Sequence, residues 1–209
     1  MRKMPPCHVC FGIQQLWNRY RMILTMTTSD LSQQNATVAE LFLQFSRKKL
    51  VEQYWPRLRG AVEGLTDEQV WWRPNPASNS VGNLLLHLNG NVRQWIIASF
   101  NRTEDARDRP SEFAAEGSIS GAALLERLGQ TIDEAASVLA RLTVDDLLAT
   151  YPIQGYAVNG LHAVFQVVEH FGMHYGQVLY ITKALQGRDL GFYSELNKTG
   201  RASDGSKNL

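Results

Sequence analysis

The sequence predicts an all-α protein, and more specifically a four-helix bundle. Four stretches, each about 20 to 28 residues long, carry apolar residues at helical spacing. No stretch alternates apolar and polar residues for long enough to predict a sheet. Polar connections that contain proline and glycine separate the four stretches, which is typical of a bundle with defined loops.

The first helix is predicted over about residues 38–65. Pro56 lies inside this stretch and should kink the helix, because proline lacks an N–H and crowds the preceding turn. Thr66 and Gln69 have the spacing of a capping box. A short helical turn is therefore expected directly after the first helix.

Three further helices are predicted, and each has a residue at one end that favours a helix boundary. They run from Ser80 over residues 81–100, from Ser120 through Leu142, and over residues 161–186 to Gly187. The connection 101–118 could reach about 60 Å if it were extended. It therefore permits helices two and three to run parallel in a crossover topology, without requiring it.

The composition excludes several classes of protein. The 209 residues are 44% hydrophobic and 20% charged, with a net charge of +1, so neither wholesale disorder nor a general nucleic-acid binder is expected. No run of about 18 uncharged apolar residues is present, so no membrane span is expected. The two cysteines, Cys7 and Cys10, can make neither a disulfide framework nor a four-ligand zinc site on their own. These features predict a cytoplasmic protein.

The two ends of the chain differ from its middle. Residues 1–29 carry basic side chains and no acid, and they are interpreted as a disordered extension or as a wrongly assigned start, with Met22 or Met26 as the true one. A transit peptide is the alternative. Residues 201–209 form a polar tail, which leaves residues 30–200 for the bundle domain.

Three histidines carry the chemistry that the sequence offers. His170 and His174 are four residues apart on the fourth helix, about 40° apart around its axis, so both rings can meet one ion. His87 lies among leucines on the second helix, where a buried imidazole needs a hydrogen bond or a metal. Three imidazoles leave an open position for water or substrate. On spacing alone the alternative stands that these are hydrogen-bonded core residues; His162, about 120° from His174, is predicted to lie at the surface.

Three motifs, in order, resemble those of the DinB-like superfamily. His-x-x-x-His-x-Gly-Gln over residues 170–177 resembles the motif of its closing helix. Residues 65–74 resemble the segment after its first helix, and residues 80–88 resemble its second-helix histidine motif. The resemblance extends over about residues 38–186 and implies an up-down-down-up topology, a metal held by His87, His170 and His174, and a homodimer.

The expected cofactor is one divalent transition metal, zinc or nickel first, with iron, cobalt and manganese as alternatives. Gln177 lies three residues after His174 and is a candidate acceptor for the second ring N–H of that histidine. Asn83 and Asn91, each four residues from His87, are similar candidates. For both asparagines the alternative is ordinary surface hydration.

The resemblance implies three functions for such a site. One is transfer of a small-molecule thiol to an electrophile, with the thiol arriving as a cosubstrate because the bundle contains no cysteine. Another is metal-dependent hydrolysis, which needs a carboxylate base; Glu169 points about 100° away from His170, and Glu52 on the first helix stays open. The last is metal or ligand binding without turnover. The sequence leaves the catalytic residue unidentified, and a metal-bound water or thiolate is the expected reacting group.

Overall fold

The computed structural model describes residues 28–194. The chain divides into two compact units, Met1–Phe42 and Leu43–Leu209, and the described part of the first unit is helical throughout. Helices dominate the second unit as well, which confirms the predicted all-α class. The predicted extension 1–29, apart from its last two residues, and the polar tail 201–209 lie outside the described residues.

The first long helical stretch starts earlier than the apolar pattern predicts. Helix α1 spans Thr28–Arg47, a π-helical segment covers Lys48–Tyr54, and helix α2 spans Trp55–Val62. The predicted start near residue 38 is wrong because the preceding turns are polar and show no apolar periodicity. Pro56 lies in the first turn of α2, directly after the wider turns of the π segment, so its missing N–H is accommodated there.

The remaining elements follow the predicted order, with additions in the connections. They are α3 (Asp67–Trp71), α4 (Val81–Val92), a π-helical segment (Arg93–Ala98), α5 (Ser99–Asn101), α6 (Arg109–Ala114), α7 (Gly121–Leu139), α8 (Val144–Leu148), β1 (Thr150–Ile153), β2 (Tyr156–Asn159) and α9 (Gly160–Gln186). The predicted cap residues are confirmed: Thr66 and Ser80 each form a capping box, Ser120 caps α7, and Gly187 ends α9 with φ of 63°.

The hairpin of β1 and β2 corrects the expectation that no sheet forms. The strands pair antiparallel, from Thr150 opposite Asn159 to Ile153 opposite Tyr156. Gln154 and Gly155, with φ of 53° and 82°, make the two-residue turn, and positive φ at both positions is typical of such hairpins. Each strand has four residues, which is too short for an alternating pattern to stand out in the sequence.

Helix α4 lies at the centre of the second unit. It packs against α7 and α9, and also against the short helices α3 and α6. Eleven of its twelve residues are buried, with Gly90 as the half-buried exception. A side chain on α4 is therefore enclosed whichever way it points, and that determines the surroundings of His87.

Among the residues that the structure describes, no helix is both long enough and apolar enough to cross a membrane.

Candidate metal centre

The structure brings His87, His170 and His174 together where α4 packs against α9. One ring nitrogen of each histidine lies within 4.8 Å of those of the other two. The Nε2 atoms of His87 and His170 are 3.0 Å apart, and those of His170 and His174 are 3.2 Å apart. His87 is buried, whereas His170 and His174 are half-buried. The cluster therefore has a closed side on α4 and a more open side on α9.

Two of the three rings are oriented by an oxygen atom on their far side. Nδ1 of His87 lies 2.9 Å from Oε2 of Glu112, and Nδ1 of His174 lies 2.6 Å from Oε1 of Gln177. A carboxylate or amide oxygen accepts hydrogen bonds, so these two contacts fit rings that carry their hydrogen on Nδ1 and present the lone pair of Nε2 to the cluster. Nδ1 of His170 is buried and has no hydrogen-bond partner within the described part of the chain.

Glu112 reaches His87 from α6, as half of an ion pair with Arg107. Nε of Arg107 donates to Oε1 at 2.7 Å, and Nη2 donates to Oε2 at 2.9 Å. Both side chains are nearly inaccessible, with 4% of Arg107 and 9% of Glu112 exposed. Gly90 on α4 makes room for this pair, because a Cβ at that position would overlap Oε1 of Glu112 and lie 2.8 Å from Nε of Arg107.

Asn83 makes no hydrogen bond to His87 but binds the segment that carries Glu112. Its amide nitrogen lies 3.0 Å from the carbonyl oxygens of both Glu112 and Ala115, and its Oδ1 accepts from the backbone N–H of Ser80 at 3.1 Å. Asn91 is buried, and its Oδ1 makes no hydrogen bond to any residue that the structure describes.

The electrostatics keep His170 and His174 neutral and Glu112 ionised. Burial lowers the pKa of His170 to about 3, and the neighbouring His174 and His87 rings act in the same direction. Burial also lowers the pKa of His174, although the hydrogen bond to Gln177 opposes it. Burial by itself would raise the pKa of Glu112, but hydrogen bonds from Arg107 and His87 bring it below its ordinary value. At neutral pH the rings of His170 and His174 are therefore uncharged.

The sequence profile of the DinB superfamily matches residues 50–178, which is more than half of the chain. The chain belongs to the DinB superfamily. The matched range contains all three clustered histidines together with Gln177 and Glu112.

Two solved structures are similar to this DinB superfamily protein in fold. A conserved protein from Enterococcus faecalis is 18% identical, with 69% of this chain and 97% of that chain covered and a TM-score of 0.59. A DinB-like protein from Bacillus cereus is 15% identical, with 72% and 94% covered and a TM-score of 0.55. At these identities the similarity shows the fold alone. No curated protein matches the chain significantly.

The donor set of this DinB superfamily site fits a divalent transition metal. Tetrahedral zinc with Zn–N bonds of about 2.0–2.1 Å places its nitrogens about 3.3 Å apart. Two of the Nε2 separations, 3.0 and 3.2 Å, are close to that value. Imidazole nitrogens are ligands that zinc, nickel and iron accept, and two of the three rings have a hydrogen-bond acceptor at Nδ1.

Sequence reasoning missed Glu112 and Arg107. Residues 101–118 read as a polar connection, although Asp108 followed by Pro110 carries the signal of a helix start. That signal would have located α6, because Asp108 does cap it. Nothing in the spacing relates Glu112 to His87, which lies 25 residues earlier.

Proposed function

We propose that His87, His170 and His174 bind one divalent transition metal, zinc or nickel first, through their Nε2 atoms. We further propose that the protein transfers a small-molecule thiol to an electrophile. The observation that carries the metal site is the convergence of three imidazole nitrogens from two helices. Iron, cobalt and manganese are the alternatives for the same donor set.

The hydrogen bonds of the nearby Glu112 carboxylate favour thiol transfer over hydrolysis. A bound divalent metal would supply Lewis acidity that favours the thiolate form of a thiol. Both oxygens of Glu112 are bonded to Arg107, and one also to His87, so this carboxylate is not free to act as a base toward water. A thiol has a pKa near 8.5 and needs less help to ionise than water does.

The thiol has to come from outside the bundle. The only cysteines of the chain are Cys7 and Cys10, which lie outside the described residues. In the proposed reaction the thiol sulfur forms a bond to carbon as the leaving group departs with its electron pair, and the thiol proton passes to solvent. The half-buried rings of His170 and His174 mark the side from which both reactants would approach.

Metal content tests the site. The full chain, purified without a histidine tag, is expected to hold about one transition ion per chain, and His87→Ala and His174→Ala are expected to lose it. His162→Ala is the matched control, because His162 is an exposed histidine on the same helix as His174. A wild-type protein that takes up no ion after incubation with zinc or nickel would contradict the site.

Adduct formation tests the reaction. The metal-loaded protein is expected to consume a small thiol in the presence of an epoxide or alkyl halide, and mass spectrometry would detect the thioether. Hydrolysis of an ester panel without thioether formation would favour the hydrolase. Neither activity in a protein that holds its metal would favour a non-catalytic binding protein.

We also propose that the protein is a homodimer. Phe165, Met173 and Tyr180 support this assignment, because each is between 48% and 76% exposed and they lie within about 80° on the surface of α9. Light scattering coupled to size exclusion should give twice the chain mass of 23.5 kDa. A mass of one chain at micromolar concentration would refute the dimer.

The up-down-down-up crossover of the four long helices is part of the same proposal. The connection between α5 and α7 supports it, because its length is sufficient to span the bundle. Distances between spin labels at the ends of α4 and α7 would distinguish a parallel pair from an antiparallel one.

A further inference from the structure

Nδ1 of His87 has two neighbours of opposite charge. Oε2 of Glu112 lies 2.9 Å from it, and Nη2 of Arg107 lies 3.1 Å from it. An ionised carboxylate only accepts hydrogen bonds, and a guanidinium only donates them. The two neighbours therefore require opposite tautomers: Glu112 needs a hydrogen on Nδ1, and Arg107 needs Nδ1 bare.

The tautomer of His87 determines what its other nitrogen can do. Nε2 lies 3.0 Å from Nε2 of His170. If Nδ1 carries the hydrogen, Nε2 presents a lone pair and can bind a metal. If Nδ1 is bare, Nε2 carries the hydrogen, donates it to His170 and is no longer a ligand.

We propose that Glu112 is a positioning residue that holds His87 in its Nδ1–H tautomer against Arg107, and thereby sets the metal affinity of the cluster. The part that concerns affinity rests on the proposed function; the part that concerns the tautomer does not. A charge-assisted bond to a carboxylate is stronger than a bond between neutral groups, and Arg107 already has both oxygens of Glu112 as acceptors. The competition at Nδ1 is therefore decided in favour of Glu112.

The surroundings of Glu112 are built for this contact. Gly90 leaves the space that the carboxylate and the guanidinium fill. Asn83 binds the backbone carbonyl of Glu112 itself at 3.0 Å, which fixes the start of its side chain. Two residues of α4, Gly90 and Asn83, thus position the carboxylate, and the carboxylate in turn contacts His87 on the same helix.

The ring nitrogens can be observed directly in the metal-free protein. Long-range ¹H–¹⁵N correlation spectra of the full chain are expected to show His87 protonated at Nδ1 in the wild type and in Arg107→Met. Glu112→Met leaves Arg107 as the neighbour of Nδ1 of His87. In that variant the His87 ring is expected to be protonated at Nε2 instead. Exposed Glu116→Met is the control and should match the wild type. An Nε2–H ring in the wild type, or no reversal in Glu112→Met, would overturn the proposal.

Zinc affinity, measured against a competing chelator, gives the second readout. Glu112→Met is expected to bind zinc ten- to a hundredfold more weakly, the range found when a hydrogen-bond partner of a ligating histidine is removed. Arg107→Met is expected to stay within threefold of the wild type or to bind more tightly. The double variant should bind more tightly than Glu112→Met, since the competing donor is gone. Equal losses in both single variants would overturn the proposal.

Gly90→Ala keeps both charged groups and tests their placement. Its methyl group would displace Glu112 and Arg107 together, so zinc affinity is expected to fall at least tenfold. Gly60→Ala on α2 is the matched control, because nothing lies within 4 Å of its added carbon. If Glu112→Met does not fold, Arg107→Met compared with the double variant still isolates Glu112. A tautomer reversal in a protein that binds no zinc would refute the proposed function and support the assignment of Glu112.

Discussion

The two sides of the histidine cluster are held in different ways. On α4, His87 is 4% exposed and is fixed by a buried ion pair that arrives from a distant segment. On α9, His170 and His174 are half-buried, and the outer partner of His174 is Gln177, three residues along the same helix. The α4 side is thus set by tertiary contacts and the α9 side by helical geometry. The closed side is therefore expected to affect both the stability of the fold and the metal affinity, and the open side the metal affinity alone.

Removal of the buried Glu112 carboxylate should cause the largest loss of unfolding free energy, and so the largest difference between the two sides. Glu112→Ala leaves Arg107 and His87 buried without their acceptor, and breaking such a pair costs about 3–5 kcal/mol. Gln177→Ala on the exposed side should change the free energy of unfolding by less than about 1 kcal/mol. Urea denaturation of the metal-free proteins measures both. Equal losses would mean that the two sides do not differ as described.

Substitution of Asn83 should cause the next largest loss of unfolding free energy, because Asn83 acts on the closed side alone. Asn83→Ala removes half of a capping box and leaves the carbonyl of Glu112 without its side-chain donor, at a cost of about 3 kcal/mol in unfolding free energy. Ser120→Ala removes an ordinary cap on α7 and should cost about 1 kcal/mol. The same denaturation experiment compares the two. If Asn83→Ala costs no more than Ser120→Ala, its bonds to the α6 segment contribute nothing.

Substitution of Gln177 should have the smallest effect, a loss of zinc affinity on the open side without a loss of stability. Gln177→Ala removes the acceptor of Nδ1 of His174 and should weaken zinc binding about tenfold. The melting temperature of the metal-free protein should not change. Exposed Gln130→Ala on α7 is the control, and competition with a chelator is the measurement. A loss of melting temperature without a loss of affinity would assign Gln177 to the fold and not to the site.

The sequence predicts the open side of the site far better than the closed side. The four-residue spacing of His170 and His174 and the three-residue step to Gln177 are properties of any helix, so their proximity follows once α9 is recognised. His87 could be named as a candidate because a polar side chain among leucines needs a partner. Its actual partner, Glu112, is brought to it by the packing of α6 on α4, and no local pattern encodes that packing.

The fold shows the same limit. The long amphipathic helices and their caps follow from periodicity and from Ser80, Ser120 and Gly187. The hairpin of β1 and β2 did not, because Pro152 and Gly155 are typical of a loop and the strands bury only a few side chains. The hydrogen bonds of Asn83 run to the α6 backbone and to Ser80, and no local pattern in the sequence signals the contact with α6.

The space at Gly90 makes the effect of a substitution there depend on the neighbouring charged side chains. A glycine inside a helix is about 1 kcal/mol less favourable than alanine, so a chain that lacked both the carboxylate of Glu112 and the guanidinium of Arg107 would gain by replacing it. A chain with Glu112 cannot accept that replacement, because the added carbon would overlap the carboxylate. The same substitution is thus beneficial in one background and harmful in the other. Substitutions at positions 90, 107 and 112 are therefore expected to be epistatic, because the space that Gly90 leaves is filled by both charged side chains.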